Sequence, residues 1–204
     1  MQSIYTYMSI IGEGGFGCVH KPSLECNTNQ IVDYDDKVSK LLTKKEADKE
    51  LKEYTILKNI DKDTKYYLGV PVKCIVKDNK ENKNKIKQCK KSKVFLKNLN
   101  DMRILVMKDG GYNLSNVLEN SKNKKNKKEI FENLLIYLLN VFDAIKLFVE
   151  KRVTHRDIKC ENIVFDFEKK KIKIIDFGIM NTFLNLITKA KKSTCDYDIV
   201  HWSV

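Results

Sequence analysis

The chain has 204 residues, of which 42% are hydrophobic and 9% aromatic, enough apolar material to bury a core in one ordinary domain or two small lobes. Its formal net charge of +12 comes from lysine rather than arginine. The lysines sit in asparagine-rich stretches with few aromatics beside them, which reads as solvated loops and argues against a nucleic-acid partner.

The chain opens without a basic segment followed by an apolar run, so no signal peptide is predicted. Residues 4–11 are rich in β-formers and predict a strand running into Gly12. Gly12-Glu13-Gly14-Gly15-Phe16-Gly17-Cys18-Val19 then supplies G-x-G-x-x-G. That spacing also marks dinucleotide folds, but there it opens a helix, whereas Cys18-Val19-His20 continues as a strand and Pro22 forbids a helix interior. A strand, glycine turn and strand are expected, with backbone amides free to approach an anion. Residues 24–36 are polar and predict an extended hairpin loop. In the strand predicted at 37–42, Val38, Lys40 and Leu42 share one face, and a lysine between apolar residues on an inward face needs an anion; the competing reading is a surface lysine on an edge strand, with Lys37 its nearest rival. Residues 43–60 predict a helix opened by a Thr43/Glu46 capping box, with Ala47, Leu51, Tyr54 and Leu57 at helical spacing. Glu46, Glu50 and Glu53 are all candidates to pair with Lys40.

Two strands are predicted at 70–76 and 86–96, separated by a lysine- and asparagine-rich mobile loop at 77–85. A third, at 103–107, runs into Lys108-Asp109-Gly110-Gly111, where the double glycine marks a domain boundary. A short helix follows at 113–118, then a solvated lysine-rich loop at 122–128. Residues 129–151 predict a long amphipathic helix with Leu134, Leu135, Leu138, Phe142, Ile145 and Val149 on its apolar stripe. Asn140, Asp143 and Lys146 interrupt that stretch, so no membrane span is predicted and a cytoplasmic location is expected. The six cysteines form no C-x-x-C pair and no His lies at zinc-ligand spacing, so free thiols are expected.

The stretch Thr154-His155-Arg156-Asp157-Ile158-Lys159-Cys160-Glu161-Asn162 places an Asp, a Lys and an Asn at fixed offsets in one short turn. Phosphoryl transfer needs that set: an Asp to receive a hydroxyl proton, a Lys facing the moving phosphate, and an Asn oxygen for a metal ion. A hairpin predicted from 163–166 and 171–175 then delivers Asp176-Phe177-Gly178.

From Gly12 to Gly178 these motifs resemble the protein kinase family: the glycine-rich loop, a V-x-K strand, the H-R-D-x-x-x-x-N loop and D-F-G. The resemblance implies an α+β, bilobal fold, with a β-rich N-lobe at 1–108 carrying one helix and a partial, mainly helical C-lobe at 109–204. It implies ATP and Mg2+ as cofactors and a protein serine or threonine as substrate, Lys159 being similar to the serine/threonine type. Nucleotide contacts are then expected from Ile11, Gly12, Glu13, Gly14, Gly15, Phe16, Gly17, Cys18, Val19, Val38, Lys40, Met107, Lys108, Gly110 and Val164. Phe16 would cap the phosphates, Val19 press on the base, Met107 guard the back of the adenine pocket, and the Lys108 carbonyl and Gly110 amide bond the adenine edge. The expected catalytic set is Asp157, Lys159, Asn162, Lys40 and Glu53, the last chosen over Glu50 as the lysine's anchor; Asn162 and Asp176 would hold the metal. His155 and Phe177 would stack with Leu57, and Arg156 would bind a phosphorylated segment in which Thr182, Thr188, Ser193 and Thr194 are candidates. The composition is also similar to kinases of large DNA viruses. No A-P-E motif follows, and His201-Trp202-Ser203-Val204 stands about where it is expected. An incomplete C-lobe covered by a protein partner, with weak or no catalysis, is therefore the alternative expectation.

Overall fold

In a computed structural model of the chain, the described residues are 10–14, 17–28, 33–122 and 125–192. Most of the strand expected at 4–11, together with Gly15, Phe16, Ser193, Thr194 and residues 201–204, lies outside them. The chain folds as two compact units, one of Met1–Lys58 with Leu68–Gly110 and one of Asn59–Tyr67 with Gly111–Val204.

The first unit is built on an antiparallel sheet of β1 (Ile10–Gly14), β2 (Gly17–His20), β3 (Lys37–Thr43), β4 (Val72–Ile75) and β5 (Met102–Lys108), in the order β1-β2-β3-β5-β4. Register fixes which residues share a face. Val19, Lys40 and Leu105 lie directly opposite one another in one row, and Val38 faces Met107 in the next. The alternate positions Cys18, Leu41, Ile104 and Cys74 form a row on the reverse face. Gly17 is held to glycine by crowding: a Cβ there would overlap the carbonyl oxygen of Leu41.

Helix α1 (Lys44–Ile60) starts as expected. The Thr43 N–H donates to Glu46 Oε2 at 3.1 Å and the Glu46 N–H to Thr43 Oγ1 at 3.3 Å, so each residue satisfies the other's orphan donor. Its buried stripe is Ala47, Glu50, Tyr54 and Leu57, a helical repeat with a carboxylate inside it. Ala47 packs with Leu42 and Leu105 on the Lys40 face of the sheet.

The reverse face departs from expectation. Residues 77–96 are not a mobile loop followed by a strand; they form two short helices, α2 (Lys80–Ile86) and α3 (Ser92–Lys97). The reason is local capping plus spacing. Asn79 accepts from the Asn82 N–H at 2.8 Å, and Ile86, Cys89, Phe95 and Leu99 are buried in one cluster with Leu41, Ile104 and Val106. Asn82 is completely buried, and its amide group donates to the Glu25 and Lys77 carbonyls at 3.1 and 2.8 Å and accepts from the Glu25 N–H at 3.0 Å. The segment expected as a polar loop after Pro22 therefore contributes core too, with Leu24 and Cys26 buried. Four cysteines are not free thiols: Cys18 is joined to Cys89 and Cys26 to Cys74, with Cα–Cα distances of 6.2 and 5.6 Å. Cys160 is free. Beside the first pair lies His20, fully buried, whose pKa burial lowers to about 4 so that its ring is neutral.

The second unit contains β6 (Tyr112–Asn113), α4 (Leu114–Ser121), α5 (Lys127–Glu150), β7 (Val153–Thr154), β8 (Ile163–Asp166), β9 (Lys171–Ile174), β10 (Asn181–Thr182) and α6 (Phe183–Lys191). β6, β8 and β9 form one sheet, and β7 pairs with β10. Gly111, at φ 88°, takes a left-handed turn beside Phe165, whose carbonyl a Cβ there would overlap. The stretch after α1 belongs to this unit: Asp61, itself buried, accepts from the Lys65 and Tyr66 N–H groups at 2.9 and 2.8 Å, and the Ile174 N–H donates to the Tyr66 carbonyl at 2.8 Å. The inward stripe of α5 is Leu134, Val141, Ala144 and Phe148. Leu135, Phe142 and Val149, expected on that stripe, are exposed, as are Ile136 and Leu139. No described helix is long and apolar enough to cross a membrane.

Candidate active site

Two clusters carry the chemistry expected of the sequence, one in each unit. In the first, β3 presents Lys40 between buried Val38 and Leu42, and its Nζ lies 2.9 Å from Glu50 Oε2. Side-chain exposure is 13% for Lys40 and 5% for Glu50, so the pair sits in a weakly screened environment where each charge needs the other. The anchor is thus Glu50 and not Glu53. Glu53 falls off the Ala47–Glu50–Tyr54–Leu57 stripe, is half-buried, and has its carboxyl pKa raised by that burial. The signal was present in the sequence, since Glu50 lies three after Ala47 and four before Tyr54.

Around Lys40, the same face carries Gly12 and Val19 on the glycine hairpin and Val38 and Met107 on β3 and β5, all brought together by register. Lys108 ends β5 and is exposed; Gly110, two residues on, is buried. Ile11 and Gly14 lie on exposed parts of β1. Glu13 and Cys18 are cross-strand neighbours whose side chains meet on the reverse face, with Glu13 Oε1 3.4 Å from Cys18 Sγ, so neither side chain joins Lys40.

In the second unit, the loop after β7 converges on Asp157. The Asn162 Nδ2 donates to the Asp157 carbonyl at 2.9 Å and to Asp157 Oδ2 at 2.8 Å. Lys159 Nζ stands 2.8 Å from the same Oδ2, and that hydrogen bond raises its pKa. The Asp157 N–H donates to His155 Nδ1 at 3.2 Å, which requires that nitrogen to be unprotonated; Nε2–H therefore donates to the Ile175 carbonyl at 3.0 Å. Burial lowers the His155 pKa and keeps the ring in this neutral form. The ring meets Phe177 edge-on at 4.7 Å, and Phe177, completely buried, also touches Tyr67 and Phe148.

The β8–β9 hairpin sets the last member. The Ile175 N–H donates to the Asn162 carbonyl at 2.9 Å, holding Asp176 one residue from Asn162's partner. Asp176 has φ 61° and Arg156 φ 71°, left-handed backbone that costs energy in a non-glycine residue. Val164 is buried on β8.

The donor chemistry fits a hard divalent cation. With Nδ2 of Asn162 committed to Asp157, the acceptor Oδ1 is the end left to face a metal, and Asp176 adds a carboxylate. The second unit offers a carboxylate held in place, a lysine paired with it and two oxygen donors, and the first unit, by itself, offers a lysine with an acidic partner. That is equipment for binding and positioning phosphate rather than for redox or covalent chemistry.

A family profile described as a protein kinase domain matches residues 5–197. No curated protein matches the chain.

Proposed function

Because the chain belongs to the protein kinase family, and is on that ground a kinase-type phosphotransferase, we propose that it is an ATP-dependent serine/threonine kinase acting on a protein hydroxyl. The observation that carries this reading is the bridge from Asn162 Nδ2 to Asp157, which fixes a carboxylate and leaves an amide oxygen for a cation. Bound Mg2+ would neutralise phosphate charge through Asn162 and Asp176.

The chain's own residues do the rest. Asp157 Oδ orients the acceptor hydroxyl and takes its proton, while Asn162 holds that carboxylate and the His155 ring holds the Asp157 backbone N–H. Lys159, drawn to Asp157 before substrate arrives, faces the phosphate as it transfers; its place two residues after Asp157 supports a serine or threonine acceptor. Lys40 binds the nucleotide's phosphates, steadied by Glu50, and Val19, Val38 and Met107 enclose its base.

The test is phosphate transfer from Mg-ATP to a generic serine/threonine substrate. Asp157→Ala is expected to lower kcat by about 10²–10⁴-fold with the chain still folded. Transfer that survives the substitution refutes the assignment. A second reading, a kinase-like protein acting through a bound partner, is favoured by the exposed row Leu135, Phe142 and Val149 on α5. It predicts no transfer by the wild type.

A further inference from the structure

The reverse face of the glycine hairpin carries a set of side chains that phosphate transfer does not use. Period two places Glu13, Cys18 and His20 on that face, and the connection between α2 and α3 brings Cys89 over them. The ligand atoms of Glu13, Cys18 and Cys89 all lie within 4.8 Å of one another. His20 Nε2 is 3.6 Å from Cys89 Sγ, and Glu13 Oε1 is 3.4 Å from Cys18 Sγ. The backbone N–H of Lys90 donates to the same Glu13 oxygen, holding the carboxylate beside Cys18 at the hairpin surface. We propose that, in the reduced chain, Cys18, Cys89, His20 and Glu13 bind one Zn2+ that ties the glycine hairpin to the α2–α3 segment.

Two edges of a tetrahedron are already in place; His20 lies outside the mutual 4.8 Å of the other three and joins them through Cys89 once the Cys18–Cys89 bond opens and the sulfurs part. Zinc–sulfur, zinc–nitrogen and zinc–oxygen bonds of about 2.3, 2.0 and 2.1 Å put a sulfur about 3.5–3.6 Å from a nitrogen or oxygen on the same ion. The two sulfur-to-neighbour distances here, 3.6 and 3.4 Å, are close to those edges. Two thiolates, an imidazole and a carboxylate also suit zinc better than magnesium or calcium, which take oxygen. The second cysteine pair provides the contrast. Cys26 and Cys74 are joined in the same buried cluster, yet among the described residues no third metal-ligating group gathers on them. A disulfide needs no imidazole or carboxylate beside it; a metal does.

The metal and the Cys18–Cys89 bond exclude each other. A thiol reductant opens the bond, giving two protein thiols while its own thiols become a disulfide; Zn2+ then displaces the two thiol protons as two Zn–S bonds form. The site is independent of the kinase reading, because its ligands turn away from Lys40.

The experiment uses the full chain, purified under thiol reductant without chelator. About one zinc per chain is expected by elemental analysis, released when a mercurial caps the thiols. Co2+ added to the reduced, zinc-stripped wild type is expected to give the sulfur-to-metal charge-transfer band of a thiolate site. The paired substitution Cys18→Ser with Cys89→Ser is expected to lose both zinc and band, His20→Ala to weaken Co2+ binding, and Cys160→Ser to keep both. Reduced wild type that carries no zinc and shows no cobalt band overturns the proposal, as does a band that survives the double substitution. Should the double variant not fold, the wild-type titration decides alone, and Glu13→Gln, at the hairpin surface, is expected to shift the cobalt spectrum.

Discussion

Replacing Glu50 with Gln keeps the volume of the side chain and leaves an oxygen that still accepts from Lys40, so what it removes is one charge of a pair 2.9 Å apart. Breaking a fully buried pair from one side costs about 3–5 kcal/mol, because the remaining charge loses a close counter-charge in a weakly screened place. Lys40 keeps 13% of its side-chain surface, through which its ammonium reaches water, so a cost of about 2–3 kcal/mol is expected. For a chain of this length that lowers Tm by roughly 4–12 °C. The matched perturbation is Glu53→Gln. Burial raises the Glu53 pKa above its ordinary 4.5, so above that value the unfolded chain releases its proton more readily than the folded one. Ionised Glu53 therefore costs stability as pH rises from 4.5 through its folded pKa, and Gln at this position is neutral or slightly stabilising at pH 7. Thermal unfolding followed by circular dichroism at low salt reads both variants, with phosphate transfer measured alongside. A drop in Glu53→Gln as large as that in Glu50→Gln, or an unchanged Glu50→Gln, refutes the assignment of the anchor.

Two further outcomes follow from geometry described above. Gly17→Ala sets a Cβ against the Leu41 carbonyl, and because that neighbour is backbone in the middle of a sheet, a loss of about 1–3 kcal/mol in denaturant unfolding is expected; a neutral result would mean β2 and β3 can separate freely. The pH response of the second unit is expected to include His155. Its ring faces Asp157 and Asp176, which favour the proton, and Lys159, which does not, and burial outweighs them to hold its pKa below 6.5. In the window just below 6.5 the unfolded chain then binds more protons, so stability is lost as pH falls. His155→Gln should flatten that part of the stability–pH curve, and an identical slope in both proteins would contradict the lowered His155 pKa.

What could be read in advance was whatever depends on short-range pattern. The capping box at Thr43, the alternation through Lys40 and the turn from Asp157 to Asn162 each declare themselves within a few residues, and the geometry around them follows from register and helix period. Residues 77–96 did not declare themselves, because lysine and asparagine there look like a solvated loop. Asn79 as a cap and Asn82 as a buried knot between Glu25 and Lys77 are long-range facts, and only the folded chain brings residue 25 to residue 82. Glu50, a candidate from the start, ranked behind Glu53 for a different reason. Pattern matching on the run after Glu53 outweighed the plain helical stripe on which Glu50 sits. The pairing of Cys18 with Cys89 is invisible to spacing rules, since 71 residues separate them.

Helix α5 shows that one kind of residue can answer to two kinds of selection. Leu134, Val141 and Phe148 recur every seven residues inward, and Leu135, Phe142 and Val149 recur every seven residues outward, one position along. Among descendants of this sequence, the first row can change only with compensating volume in its neighbours. The second row can drift to lysine or glutamate without opening a void in this unit, unless something outside it holds those positions apolar. The substitution pattern of three adjacent pairs along one helix is therefore a record of whether that face has been kept in contact.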